Sequence, residues 1–108
     1  MEGPPLRVLY KRISHFNGQY CKIYWNGSVL SGNINLIPYG KRLIIKLPER
    51  YIVVFFGMSG TVKIKNITCE KPSMVIVNKR SVSLFFTDAQ YQKKRLMNSL
   101  NIMIPERT

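Results

Sequence analysis

Behind Pro4-Pro5 the apolar positions fall at Leu6, Leu9, Tyr10, Ile13 and Phe16, the three-and-four spacing that turns one face of a helix toward a core. Proline suits a helix's first turn and Asn17-Gly18 suits its end, so the pattern predicts one N-terminal helix that stops before Gly18. Arg7, Lys11 and Arg12 fall off that face, toward solvent or phosphate. From Gln19 to Asp88 the period changes to short β-branched and aromatic runs broken by turn residues. Residues 19–25 and 28–37 flank Asn26-Gly27, the strongest two-residue hairpin signal, and residues 42–47 and 51–56 flank Pro48-Glu49-Arg50. Residues 61–67, 74–77 and 81–87 bring the candidate strands to seven, at the close spacing of a β-sandwich or barrel. Residues 89–100 return to a helical pattern, with Tyr91, Leu96 and Leu100 apolar and Lys93, Lys94 and Arg95 clustered. The expectation is a mainly β, α+β chain: a helix, a β body of about seven strands, and a second helix. No repeat, low-complexity segment or internal linker divides it.

Length and composition narrow the picture. A chain of 108 residues with 45% hydrophobic content predicts a single domain, 1–108, with one core. Against 5 acidic residues stand 17 Lys and Arg, for a net charge of +12 and a pI near 10.1. Such an excess concentrates polyanions, so nucleic acid or an anionic surface is the expected partner. No run of about 20 apolar residues is present, and Arg7, Lys11 and Arg12 interrupt the first apolar stretch. The chain therefore reads as intracellular, neither secreted nor membrane-spanning. Cys21 and Cys69 lie far apart without a neighbouring Cys or His, which excludes a local zinc-knuckle spacing and suits buried thiols in a reducing compartment. His15 is the sole histidine, so no His-based catalytic pair exists, and no metal or cofactor is implied. Without a signal peptide, Asn66-Ile67-Thr68 reads as a chance match to the glycosylation pattern. Tyr10, Tyr20, Tyr24, Trp25, Phe55 and Phe56 offer either a base-stacking platform or, the commoner outcome in alternating strands, core and half-buried faces.

Three stretches, in order along the chain, carry a resemblance. Glu2-Gly3-Pro4 precedes the first helix; Tyr39-Gly40-Lys41-Arg42-Leu43-Ile44-Ile45 opens a strand; and Phe56-Gly57-Met58-Ser59-Gly60 leads into Thr61-Val62-Lys63-Ile64. Together they resemble the N-terminal domain of the formamidopyrimidine-DNA glycosylase and endonuclease VIII group of DNA-repair enzymes. Gln92 to Met97, leading to Pro105-Glu106, is similar to the end of that domain, so the resemblance covers almost the whole chain. It implies a β-sandwich flanked by two helices and a function in recognising damaged or abasic duplex DNA at a site of DNA replication or in the nucleus. It also implies base excision with abasic-site lyase activity through a Schiff base on the N-terminal amine.

The residue types suit that chemistry. An α-amine titrates at about 7.7–8.0, well below a lysine, so part of it is an unprotonated nucleophile near neutrality. A carboxylate beside it can carry protons to and from an opened deoxyribose. By resemblance Met1 and Glu2 are the catalytic pair, and initiator methionine is generally retained before a residue as large as Glu. Lys41 anchors a phosphate, with Arg42 and Lys63 in the DNA-binding set. Met58 fills the gap left by an extruded base. Gly3, Pro4, Gly57 and Gly60 shape the backbone around them.

The chain departs from the family's pattern at three places. Met1 stands where the family has proline, and Asp88-Ala89-Gln90-Tyr91-Gln92 replaces its Asp-Pro-Arg-Arg-Phe-Gly loop, leaving Tyr91 as a loose counterpart of the aromatic wedge. The family's helix-two-turns-helix and zinc-finger domain is absent from these 108 residues, so a fragment of a longer enzyme, or a protein partner supplying the missing half of the DNA clamp, is expected. Two other readings stay open: a catalytically degenerate DNA-binding module on the same fold, and a basic RNA-binding or ribosome-associated β-barrel.

Overall fold

The computed structural model describes residues 6–25, 27–56, 62–64, 67–69, 72, 74–87 and 97–106. Helix α1 (Leu6–Ile13) buries Leu9 and Ile13 and leaves Arg7, Lys11 and Arg12 exposed, as the apolar spacing predicts. A 3₁₀ turn (Ser14–Phe16) continues it and buries Phe16 completely. Asn17 then closes the helical segment from outside: its Oδ1 accepts from the Leu36 amide at 2.6 Å. Beside it the Gly18 amide donates to the Ile34 carbonyl and the Ile34 amide to the Gln19 carbonyl. These bonds fasten the end of the helical segment to the chain before and within β3.

Ten strands lie among the described residues: β1 (Tyr20–Trp25), β2 (Ser28–Asn33), β3 (Asn35–Tyr39), β4 (Arg42–Lys46), β5 (Tyr51–Phe55), β6 (Val62–Ile64), β7 (Ile67–Cys69), β8 (Met74–Val77), β9 (Ser81–Thr87) and β10 (Met97–Met103). All pairings are antiparallel. They form a five-stranded sheet in the order β2-β1-β10-β9-β8, a three-stranded sheet β3-β4-β5, and a two-stranded β6-β7 ribbon that lies against β5. One cluster of buried side chains draws on the helical segment and on both larger sheets. It includes Phe16, Ile23, Leu84 and Leu100 from one side and Leu43, Ile45, Ile52 and Val54 from the other.

Three expectations require correction. The predicted strand at residues 28–37 is two strands in different sheets, broken at Ile34. Just before the break Gly32 holds φ at 151°, and a Cβ there would lie 2.9 Å from Pro48 Cδ, so only glycine lets the chain turn so close to the β4–β5 loop. The predicted strand at 61–67 is likewise split, into β6 and the start of β7. The predicted helix at 89–100 fails where it can be seen: Met97 to Leu100 open β10, while residues 89–96 lie outside the described residues.

The physical reason is a period of two that overrides the helical spacing of Leu96 and Leu100. Leu100 and Ile102 are buried while Ser99 and Asn101 point to the half-exposed face. As the middle strand of its sheet, β10 completes ladders with both β1 and β9, which no helix at this position could do.

Two predictions follow from the core. Leu100→Ala lowers unfolding free energy by about 2–5 kcal/mol, whereas Met103→Ala, on the exposed face, stays within about 0.5 kcal/mol. Denaturant unfolding of the two variants checks this, and equal small effects would contradict the register of β10. Burial raises the Cys21 thiol from 9.0 to about 11. A thiol raised in the folded state favours folding below its unfolded value, so that contribution is intact up to about pH 9 and lost as pH climbs toward 11. Mass-spectrometric mapping after alkylation at pH 8 is expected to find Cys21 unmodified in native protein and modified in urea.

Candidate nucleic-acid interface

The β3–β4 hairpin sets the first group of basic side chains. Tyr39 pairs with Arg42 across a turn of Gly40-Lys41, and Gly40 takes φ of 61°, a left-handed value that glycine adopts without strain. Pro38, which cannot donate to a ladder, is tolerated because β3 is an edge strand. Along β4 the side chains alternate: Leu43 and Ile45 enter the core, while Arg42 and Lys46 are exposed. Each exposed cation faces an aromatic ring directly across on β5. The Arg42 guanidinium carbon lies 5.6 Å from the centroid of Phe55, and Lys46 Nζ lies 6.0 Å from that of Tyr51. Such contacts contribute about 0.5–1 kcal/mol at exposed sites, enough to orient a side chain without sequestering its charge.

Lys41 is exposed, and its backbone is held: the Phe56 amide donates to the Lys41 carbonyl at 2.6 Å. That bond joins the Gly-Lys turn to the residue immediately before Gly57-Met58-Ser59-Gly60. Lys63 belongs to β6, opposite Thr68, in the ribbon that lies against β5. Three of the expected DNA-binding residues therefore belong to neighbouring β elements. Met1, Glu2, Gly3, Pro4, Gly57, Met58, Gly60 and Tyr91 lie outside the described residues.

A second basic region forms where the helical segment meets the β8–β9 turn. The His15 ring nitrogen Nε2 is 2.9 Å from the Lys79 carbonyl. Next to it Arg80 is committed to the protein itself: Nε donates to the Ile104 carbonyl at 3.2 Å and Nη2 to the Pro105 carbonyl, while the Ile104 amide donates back to the Arg80 carbonyl. Lys79 and Arg80 are adjacent and both exposed, but of the two it is the arginine whose side chain fastens the exit of β10.

The aromatic residues also sort into two groups. Tyr10, Trp25 and Phe56 pack against the core, with Trp25 edge-on to Phe86 at 5.3 Å. Tyr20 instead is 48% exposed, and Tyr24 shares its face of β1, opposite the buried Cys21 and Ile23. Of the two outcomes the sequence leaves open for Tyr20, a stacking platform or a core or half-buried face, its exposure excludes the core, and the strict alternation of residues 20–24 is the signal that separates it. No group of three or more His, Cys, Asp or Glu side chains able to hold a metal ion occurs among the described residues. Nor is any helix among them long and apolar enough to cross a membrane.

Arg80→Ala is expected to cost about 1 kcal/mol of stability, because two carbonyls lose a charged donor, while Lys79→Ala stays within about 0.5 kcal/mol. Thermal unfolding of the two single variants distinguishes the structural arginine from the free lysine. Comparison with known protein families, with curated proteins and with solved structures finds no match to this chain.

Proposed function

We propose that this protein binds duplex DNA and engages it at damaged or abasic sites, using a β-sandwich of the kind found in the N-terminal domain of formamidopyrimidine-DNA glycosylases. The five-stranded and three-stranded sheets, which share one core, are inferred to be the two layers of that sandwich. The observation that carries the reading is the hydrogen bond from the Phe56 amide to the Lys41 carbonyl. It continues the β4–β5 ladder by one rung and so brings two of the three stretches on which the resemblance rests side by side. The net charge of +12 supports a polyanionic partner, and a reducing compartment that holds DNA is the setting the reading requires.

In this reading Lys41 pairs with a backbone phosphate, Arg42 and Lys63 add charge beside it, and Met58 occupies the space of an extruded nucleotide. Tyr91 stacks against the opposite strand. The Met1 amine forms a bond to C1′ as the damaged base leaves with the electrons of the glycosidic bond. Loss of a proton from nitrogen and opening of the sugar ring then give a Schiff base. Glu2 delivers the proton to the ring oxygen, and elimination at C2′ and C3′ expels the 3′ phosphate. Gly3, Pro4, Gly57 and Gly60 set the turns that hold these groups. Because Met1 replaces the family's proline, the second reading is a DNA-binding module on the same scaffold without the covalent step.

Borohydride trapping on a duplex with one abasic site separates the two readings. A covalent adduct that disappears on acetylation of the amine is the expected result. Tight binding to abasic duplex with no adduct, or equal binding to intact and abasic duplexes, leaves the non-catalytic DNA-binding module, and no binding to duplex DNA overturns both. Lys41→Ala is expected to weaken binding alike on all sequences and to reduce the salt slope of log K by about one.

A further inference from the structure

The outer face of the five-stranded sheet is unlike the rest of this strongly basic chain. On β1 the side chains that point away from the core are Tyr20, Lys22 and Tyr24, with Cys21 and Ile23 fully buried behind them. Their cross-strand neighbours are Asn33, Ser31 and Val29 on β2, and Met103 and Asn101 on β10 pair with Lys22 and Tyr24. Tyr20, Val29 and Met103 are 48%, 55% and 42% exposed. The face thus presents two aromatic rings on one strand with a single cation midway between them, among the uncharged polar Ser31, Asn33 and Asn101 and the apolar Val29 and Met103. The two acidic residues among those described lie off it: Glu49 is in the β4–β5 loop, and Glu106 follows β10 at the margin, where it shares a shallow hollow with Tyr20 and Asn33.

We propose that this face binds single-stranded nucleic acid, with bases stacked on Tyr20 and Tyr24 and an intervening phosphate on Lys22. Alternate residues of a strand are about 6.6–6.8 Å apart on one face, so the rings stand about 13 Å apart with the ammonium halfway. An extended unpaired strand spans that distance in two nucleotide steps, so that bases separated by one nucleotide reach the two rings with phosphates between them near Lys22, whereas a duplex hides its bases within the stack. An apolar protein surface would satisfy the tyrosines but strand Lys22, and it gains nothing from the charge of +12. Glu106 at the margin repels phosphate near Tyr20 and so directs the backbone toward Lys22. The site stands apart from the Lys41 hairpin, and the inference does not depend on recognition of abasic DNA.

Fluorescence anisotropy with a labelled oligo(dT) of about twelve nucleotides tests it. Tyr20→Ala and Tyr24→Ala are each expected to weaken binding about five- to a hundredfold with the salt slope unchanged, and Tyr→Phe at either position restores it. Lys22→Ala is expected to flatten the slope of log K against log salt by about 0.7, the contribution of one single-strand phosphate. The tyrosine losses on oligo(dT) are expected to be the same in a Lys41→Ala background, so failure of the duplex proposal and failure of this one appear in different measurements. Should an alanine variant misfold by circular dichroism, photo-crosslinking of the unaltered protein to an iodouridine-bearing strand replaces it. Adducts at Tyr20 or Tyr24 support the site, and adducts confined elsewhere refute it. Tyrosine variants that fold and bind oligo(dT) as well as the parent, or displacement of oligo(dT) by polyglutamate as readily as by unlabelled strand, would overturn the proposal.

Discussion

Strand β10 completes two hydrogen-bond ladders at once, with β1 on one side and β9 on the other. Without it the β1–β2 and β8–β9 pairs are separate hairpins, each too small to hold a hydrophobic face dry. With it they become one five-stranded sheet whose inner face, through Leu100 and Ile102, closes the core against helix and second sheet. The early and late parts of the chain are therefore interdependent. Contacts of such long sequence separation make folding slow relative to a helical protein of this size, because the loop closure must precede the reward.

Electrostatics contribute little to that cohesion. The described residues hold ten lysines and arginines with described side chains against two acids, Glu49 and Glu106, so like charges face one another across much of the surface. Several cations are managed locally rather than neutralised: Arg42 and Lys46 lie over rings, and Arg80 donates to carbonyls. Under the proposed function a bound polyanion would relieve the remaining repulsion, so stability would rise with its concentration.

How much of this could be read from the sequence depends on the range of the interaction that decides each element. The helix at Leu6 to Ile13 was legible because its spacing and its boundary residues agree locally. The hairpins at Asn26-Gly27 and around Pro48 were legible for the same reason, since turn chemistry is local. Residues 97–100 were not, because their strand is decided by partners on β1 and β9 that a local pattern does not contain. The break at Ile34 was hidden too: it depends on how closely Gly32 approaches Pro48. At the candidate interface Lys41 and Arg42 were legible as a basic turn. The link to Phe56 follows from the hairpin around Pro48, whereas the diversion of Arg80 to backbone carbonyls is a tertiary fact. Where Met1, Glu2 and Met58 sit is a question that falls outside the described residues.

The join between β2 and β3 has a consequence for how this chain can change. One residue, Ile34, separates a strand of the first sheet from a strand of the second, and Pro48 crowds the glycine just before it. Side chains alternate faces, so inserting or deleting a single residue there would invert the inward and outward faces of one strand relative to the other. Substitution is survivable at the exposed positions of such a junction, Gly32 and the buried Ile34 excepted, but a change of length is not. Over evolutionary time, or in directed engineering, indels are expected to accumulate at exposed turns whose backbone is not tied to other elements, while the spacing from Gly32 to Leu36 stays constant.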